Sequence, residues 1–260
     1  MFQGVALGIK SYFTAHKFIK QHKLWAYVLA PGFMNLLLFG GTILIGLHYS
    51  DALTIYFLDL LGMNEPTEDS SGWLSTALRW IFMVIFRLLF LLFYLYLYKY
   101  IVLIIMSPVL ALLAEKVDKI LTHNDDPFEM NRFISDVLRG VGLAIRNLAI
   151  EFTLLFALFL LSFVPVLQLI TPFLMLSVEF YFFGFSMIDY SNERKRMSVK
   201  ESAHYVNSNK GLSIAIGGMF YLLLLAPIIG LMIGPTYGVV AAALATHNET
   251  GTNLEKTSHG

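Results

Sequence analysis

The chain has 260 residues, of which 57% are apolar and only 14% charged, with no cysteine and a formal net charge of zero; its mean hydropathy is +0.68. A soluble domain of this size carries roughly a quarter charged residues, so the composition is that of a polytopic membrane protein. The lack of Cys excludes a disulfide framework, a zinc knuckle and thiol catalysis.

Residues 1–23 read as an amphipathic helix lying in the membrane interface, with Phe2, Val5, Ile9, Tyr12 and Phe13 on one face and Gln3, Lys10, Thr14, Lys17 and Gln21 on the other. The segment 24–49 is the first candidate span. It contains Pro31 and several glycines, which neighbouring helices accommodate in a membrane. Residues 50–72 hold five acids and no Lys or Arg. The run 73–114 is longer than one crossing needs, so its far end is expected to project beyond the bilayer, bending at Ser107-Pro108. A basic segment follows, in which Asp126-Pro127-Phe128-Glu129 has the form of a helix start.

Residues 147–190 read as a helical hairpin folded at PVLQLITP, with no charge at the turn. Its arms, 147–164 and 173–188, reach roughly 27 and 24 Å at about 1.5 Å per residue. The hydrocarbon core is about 30 Å thick. Ser198-Val199-Lys200-Glu201 has capping-box spacing. A second hairpin spans 211–246 and turns at Ala226-Pro227, and 247–260 reads as a disordered polar tail. Lysines before the first span and bases after residue 115 put the amino terminus and the 115–146 and 191–210 segments in the cytoplasm. Six full spans satisfy this rule as well as two spans and two hairpins do; the short arms and uncharged turns favour the hairpins.

The ordered motifs PGFMN (31–35), SPVLALLAEKV (107–117), FVPVLQLITPFL (163–174), IDYSNERKRMSVKE (188–201) and GLSIAIGGMFYLLLLAPIIGLMIGPTYGVVAAALA (211–245) resemble the CysZ sulfate-permease family, which also takes in the etoposide-induced 2.4 proteins. The likeness covers roughly residues 5–246. It implies an all-α integral membrane protein: two long transmembrane helices plus two hemi-penetrating (re-entrant) hairpins in one membrane domain over 1–246, assembled as a homo-oligomer. It also implies sulfate uptake across the bacterial inner membrane. The family's anion-binding segment, Gly-hydrophobic-Arg-Arg, falls on Lys23-Leu24-Trp25-Ala26, so both arginines and their bidentate geometry are absent. Lys20, His22 and Lys23 are left as the candidate anion-binding residues.

Ionisable groups inside apolar runs usually face a partner or a cavity. Arg87 and Glu179 lie roughly 18 and 15 Å inside, counted at about 1.5 Å per residue, and are expected to form a buried intramembrane pair. Glu151, five residues past Arg146, is expected to reach the interface. Gly230, Gly234 and Gly238 form a small-residue stripe for helix packing. The bases at 194–200 read as a topology signal or a contact for anionic lipid. The seven histidines lack metal-ligand spacing, and no phosphate loop or serine elbow is present, so neither cofactor, metal nor catalysis is expected. The expected partners are a small inorganic anion and membrane lipids, with no nucleic acid. The reading is an inner-membrane anion channel or permease, sulfate being the anion the resemblance implies. The alternative is a non-transporting scaffold of the same fold that binds lipid or partner proteins.

Overall fold

Long apolar runs with few breakers give long helices. The computed structural model describes residues 1–60, 73–123 and 129–258, and among them there is no strand. The helices are α1 (Phe2–Gln21), α2 (Trp25–Leu60), α3 (Trp73–Thr122), α4 (Met130–Leu161), α5 (Thr171–Arg194), α6 (Val199–Ser208), α7 (Lys210–Leu223) and α8 (Pro227–Ser258), with a 3-10 turn at Leu167–Leu169 between α4 and α5. Among the described residues three segments are long and apolar enough to cross a membrane: Trp25–Leu44, α4 and α5. This is an α-helical membrane protein. With 32 and 24 residues, α4 and α5 run about 48 and 36 Å, whereas the 14 residues of α7 give about 21 Å.

The punctuation between helices follows local chemistry. α1 ends with Leu24 N–H on the Ile19 carbonyl and Lys23 N–H on that of Lys20, the two bonds of a Schellman motif. This requires a left-handed residue at position 23, and Lys23 has φ +54°. α5 ends identically at Arg196, φ +60°, with Met197 N–H on Asn192 and Arg196 N–H on Glu193. α6 opens with the expected capping box: Ser198 Oγ accepts from Glu201 N–H, and Ser198 N–H donates to the Glu201 carboxylate. α8 starts at Pro227, as the sequence suggests, and continues through Ser258 across most of the stretch expected as a tail. Glu129 is the N-cap of α4 but makes no side-chain cap bond. Its neighbours Asp126, Pro127 and Phe128 lie outside the described residues, as do Glu65, Glu68 and Asp69 of the acidic loop.

The chain divides into two compact units, 1–36 with 103–260, and 37–102. The boundary between the units falls inside α2 and α3. In the larger unit α5 packs most extensively on α7. Two glycines make that approach possible. A Cβ on Gly184 would lie 1.9 Å from the Ser213 carbonyl oxygen, and one on Gly217 would lie 1.9 Å from that of Phe180. Beside the crossing, the Phe183 ring stacks on Phe220 with centroids 3.7 Å apart. In lipid there is no hydrophobic drive between helices, so close packing of this kind supplies the cohesion.

α1 packs on α7 and α8. Its inner stripe is Tyr12, Ala15 and Ile19, all buried, while Phe2 and Phe13 point outward. Tyr12 donates to the Ile216 carbonyl at 2.9 Å. The helix is therefore seated in the protein along one side and apolar on another. In the smaller unit a Cβ on Gly40 or Gly41 would meet, among the described residues, nothing within 4 Å beyond its own helix backbone, and Trp80, Ile85 and Leu89 are exposed.

Candidate functional site

Lys20, His22 and Lys23 sit together at the α1–α2 junction, and all three side chains are exposed. The His22 ring lies against Phe18, centroids 4.4 Å apart. Trp25, which stands where the resembling family carries an arginine, meets the His16 ring edge-on at 6.1 Å. His16 Nδ1 is in turn 2.8 Å from the Tyr237 hydroxyl on α8. A cationic turn is thus mounted on a junction braced by aromatic contacts. Lysines offer an anion charge but no planar fork.

A second polar centre lies where the ends of α3, α4 and α5 meet α6. Arg139 on α4 forms a two-pronged pair with Asp189 on α5, Nη1 to Oδ2 at 2.9 Å and Nη2 to Oδ1 at 3.0 Å. Ser202 on α6 donates to the same carboxylate, and Asn192 donates to Ser202 at 3.0 Å. Arg194 bonds Asp136 and also Glu193, the latter at 2.7 Å, with Glu115 at 3.9 Å. Arg139 lies 3.7 Å from Glu193. Two guanidinium groups are therefore set among four carboxylates, with Asp189 and Glu193 each only 4% exposed. Buried ions persist only when paired and hydrogen-bonded, and here the pairs are charge-assisted. The Nε–H of Arg139 and of Arg194 is buried with no hydrogen-bond partner, so each donor set is not wholly consumed. Nearby on α3, burial holds the Asp118 carboxyl above the usual carboxylate range, against the downward pull of Arg194 and then Lys195.

This network was not singled out from the sequence. Its signals were weak but present: Asp189 and Glu193 share a helix face at i, i+4, as do Asp136 and Arg139 at i, i+3. The sequence groups Arg194 with Lys195, Arg196 and Lys200 as a topology signal or a contact for anionic lipid. That grouping is corrected: its side chain is 9% exposed and pairs inward. Lys195, Arg196, Lys200 and His204 instead line an open cleft of about 600 Å³. Lys195 there donates to the Thr246 carbonyl at 3.1 Å.

Glu151 also departs from expectation. It is fully buried beside fully buried Asn147, so its carboxylate faces protein and not the surface. The reason is helical phase, because it shares the inward face of α4 with Leu143, Ala144 and Asn147. Glu179 is half-buried and accepts a hydrogen bond from Tyr221 on α7. Arg87 lies in the other unit, with an exposed side chain. Among the striped glycines, a Cβ on Gly230 would meet the Leu223 carbonyl oxygen at 2.3 Å, one on Gly234 the Phe220 ring at 2.5 Å, and one on Gly238 Met187 at 3.0 Å.

Among the described residues this is an α-helical membrane protein with a cationic junction and a buried ion network at its helix ends. The family model for "Sulfate transporter CysZ/Etoposide-induced protein 2.4" matches residues 11–235, and the chain belongs to that family. Among its relatives, the sulfate transporter CysZ of Pseudomonas syringae pv. tomato is 27% identical over 94% of this chain and 92% of its own. The sulfate transporter CysZ of Pseudomonas aeruginosa is 30% identical over 90% and 92%. That of Pseudomonas fluorescens is 27% identical over 90% of each.

Proposed function

We propose that this protein carries sulfate across the bacterial inner membrane as a channel or permease. The observation that carries the reading is its likeness, over nine-tenths of both chains, to proteins named sulfate transporters. The proposed arrangement is a homo-oligomer with a cytoplasmic amino terminus, two long transmembrane helices, and the α4–α5 and α7–α8 pairs as re-entrant hairpins. Two features support the hairpins. α7 is short for a crossing, and the α4–α5 turn exposes Phe163, Val166 and Leu169, each about 70%. Apolar side chains of that kind favour hydrocarbon over water, and the turn backbone they surround is covered, in the proposed assembly, by neighbouring copies of the chain. Lys20, His22 and Lys23 form the cationic mouth that draws the anion in. The Arg87–Glu179 pair belongs to the same proposal, and recovery of stability in a double Leu variant relative to each single one is its test.

Purified protein in liposomes should take up radiolabelled sulfate, and replacing Lys20 and Lys23 with Gln should cut that flux while leaving the fold intact. Recognition by charge alone should be salt-sensitive and discriminate poorly among oxyanions. Undiminished flux in the variant removes the cationic mouth from the mechanism. A second reading, a scaffold of the same fold that binds lipid or partners, is favoured by one observation: Trp25 and Ala26 replace the family's paired arginines. Absence of flux in the unaltered protein selects it.

A further inference from the structure

A groove of about 740 Å³ runs along the outer side of the α4–α5 pair and ends against α6 and α7. One wall is a stripe of α4 at every fourth residue, Arg146, Ile150, Leu154 and Leu158; Leu174 and Val178 of α5 face it. From Arg146 to Leu158 the stripe covers about 18 Å, close to the depth of one leaflet of a hydrocarbon core about 30 Å thick. Its polarity changes along its length. The far end is lined by leucines, while the near end gathers the exposed side chains of Arg146, His204 and Lys210 with Asn207. Among the described residues no Asp or Glu lines it. Glu151, adjacent in sequence, points the other way into the protein. Arg146 makes one hydrogen bond, to its neighbour Asn147 at 3.1 Å, which leaves most of its fork available.

We infer that this groove holds one anionic phospholipid, its phosphate between Arg146 and Lys210 and one acyl chain laid along the α4 stripe. Charge complementarity selects the occupant: a zwitterionic lipid gains nothing net from two cations with no carboxylate nearby, whereas a phosphatidylglycerol headgroup does. The groove's length and one-sided polarity match a lipid and not a free oxyanion, which has no use for the leucine end. The inference rests on the membrane assignment and is independent of whether the protein moves sulfate.

Native mass spectrometry of the full chain, released from detergent after equilibration with lipid, tests it. Phosphatidylglycerol should be retained over phosphatidylcholine of the same chains. At about fivefold per basic residue, the double variant Arg146→Gln with Lys210→Gln should lose that preference by about twenty-fivefold. Both side chains are exposed, so the variant keeps its fold. Leu154→Trp should reduce retention of both lipids by filling the chain's track. If Leu154→Trp does not fold, the Gln pair decides alone. Equal retention of the two lipids overturns the inference, as does a preference that survives the Gln pair. Displacement of phosphatidylglycerol by millimolar inorganic phosphate would assign the site to the free anion. Cross-linking of Leu154→Cys between copies in a bilayer would assign the groove to a second copy of the chain.

Discussion

Gly184 and Gly217 in one unit and Gly40 and Gly41 in the other are all helical glycines within apolar sequence, yet their surroundings are opposite. The first two have a carbonyl oxygen where a methyl group would go; the second two meet nothing within 4 Å among the described residues beyond their own helix backbone. The same contrast extends to the side chains around them. At the α5–α7 crossing Phe183, Phe185 and Ile216 are buried, whereas Trp80, Ile85 and Leu89 of the 37–102 unit face outward. In a membrane an outward leucine is not in an unfavourable place, because the surrounding chains are as apolar as it is. Apolar character therefore does not tell an inner surface from an outer one here. Backbone proximity and polar pairing do.

The sharpest test of that contrast is alanine at the crossing. Gly217→Ala or Gly184→Ala should cost about 4 kcal/mol or more, at the exceptional end of single substitutions, read as thermal unfolding in detergent; native-like stability would mean the helices do not cross at these glycines. Next comes the buried ion network. Arg139→Leu leaves Asp189 unpaired and should cost about 3–5 kcal/mol, with Arg139→Leu plus Asp189→Leu recovering much of it. Equal losses in the single and double variants would break the pairing.

Smaller effects lie at the helix ends. Ser198→Ala should lower α6 stability by about 1 kcal/mol, visible as faster amide exchange in 199–202. Hydrogen bonds from Ser198, the backbone one first, hold the Glu201 carboxyl below its ordinary value. Its contribution is therefore present above the ordinary carboxylate range and fades as pH falls through the depressed value. Glu201→Gln should abolish that pH dependence. Lys23→Gly relieves a left-handed lysine and should stabilise by about 1 kcal/mol, while reducing sulfate flux if the junction draws in anions. Stability and transport would then move in opposite directions. Last, Gly40→Ala should be harmless or stabilise by about 0.5–1 kcal/mol, and a loss as large as that of Gly217→Ala would erase the contrast between the two units.

Periodicity and punctuation made much of this legible. The apolar runs became helices, Ser198 and Glu201 the capping box, and Ala226-Pro227 the start of α8. What stayed hidden depends on meetings between distant segments. Asp189 lies 50 residues from Arg139, and nothing local tells a base that pairs inward, such as Arg194, from one that faces water, such as Lys200. Gly230, Gly234 and Gly238 announce themselves by spacing. Gly184 and Gly217 do not, because each matters only through the backbone opposite. The left-handed turn at Lys23 was likewise illegible, although the glycine the resembling family carries at that position has the residue type such a backbone favours.

The seating of α1 has a consequence for how the chain is built. Tyr12 bonds Ile216, 204 residues later, and His16 meets Tyr237, 221 residues later. α1 is thus made long before it finds its place, since its partners are added 204 and 221 residues later. Until then the stripe of Tyr12, Ala15 and Ile19 has neither α7 nor α8 to cover it. Contacts of such long sequence separation are slow to form and leave intermediates exposed. A nascent chain stalled before residue 211 would carry a complete α1 with no dock for it, and the completed α7–α8 pair acts as the clasp that closes the larger unit.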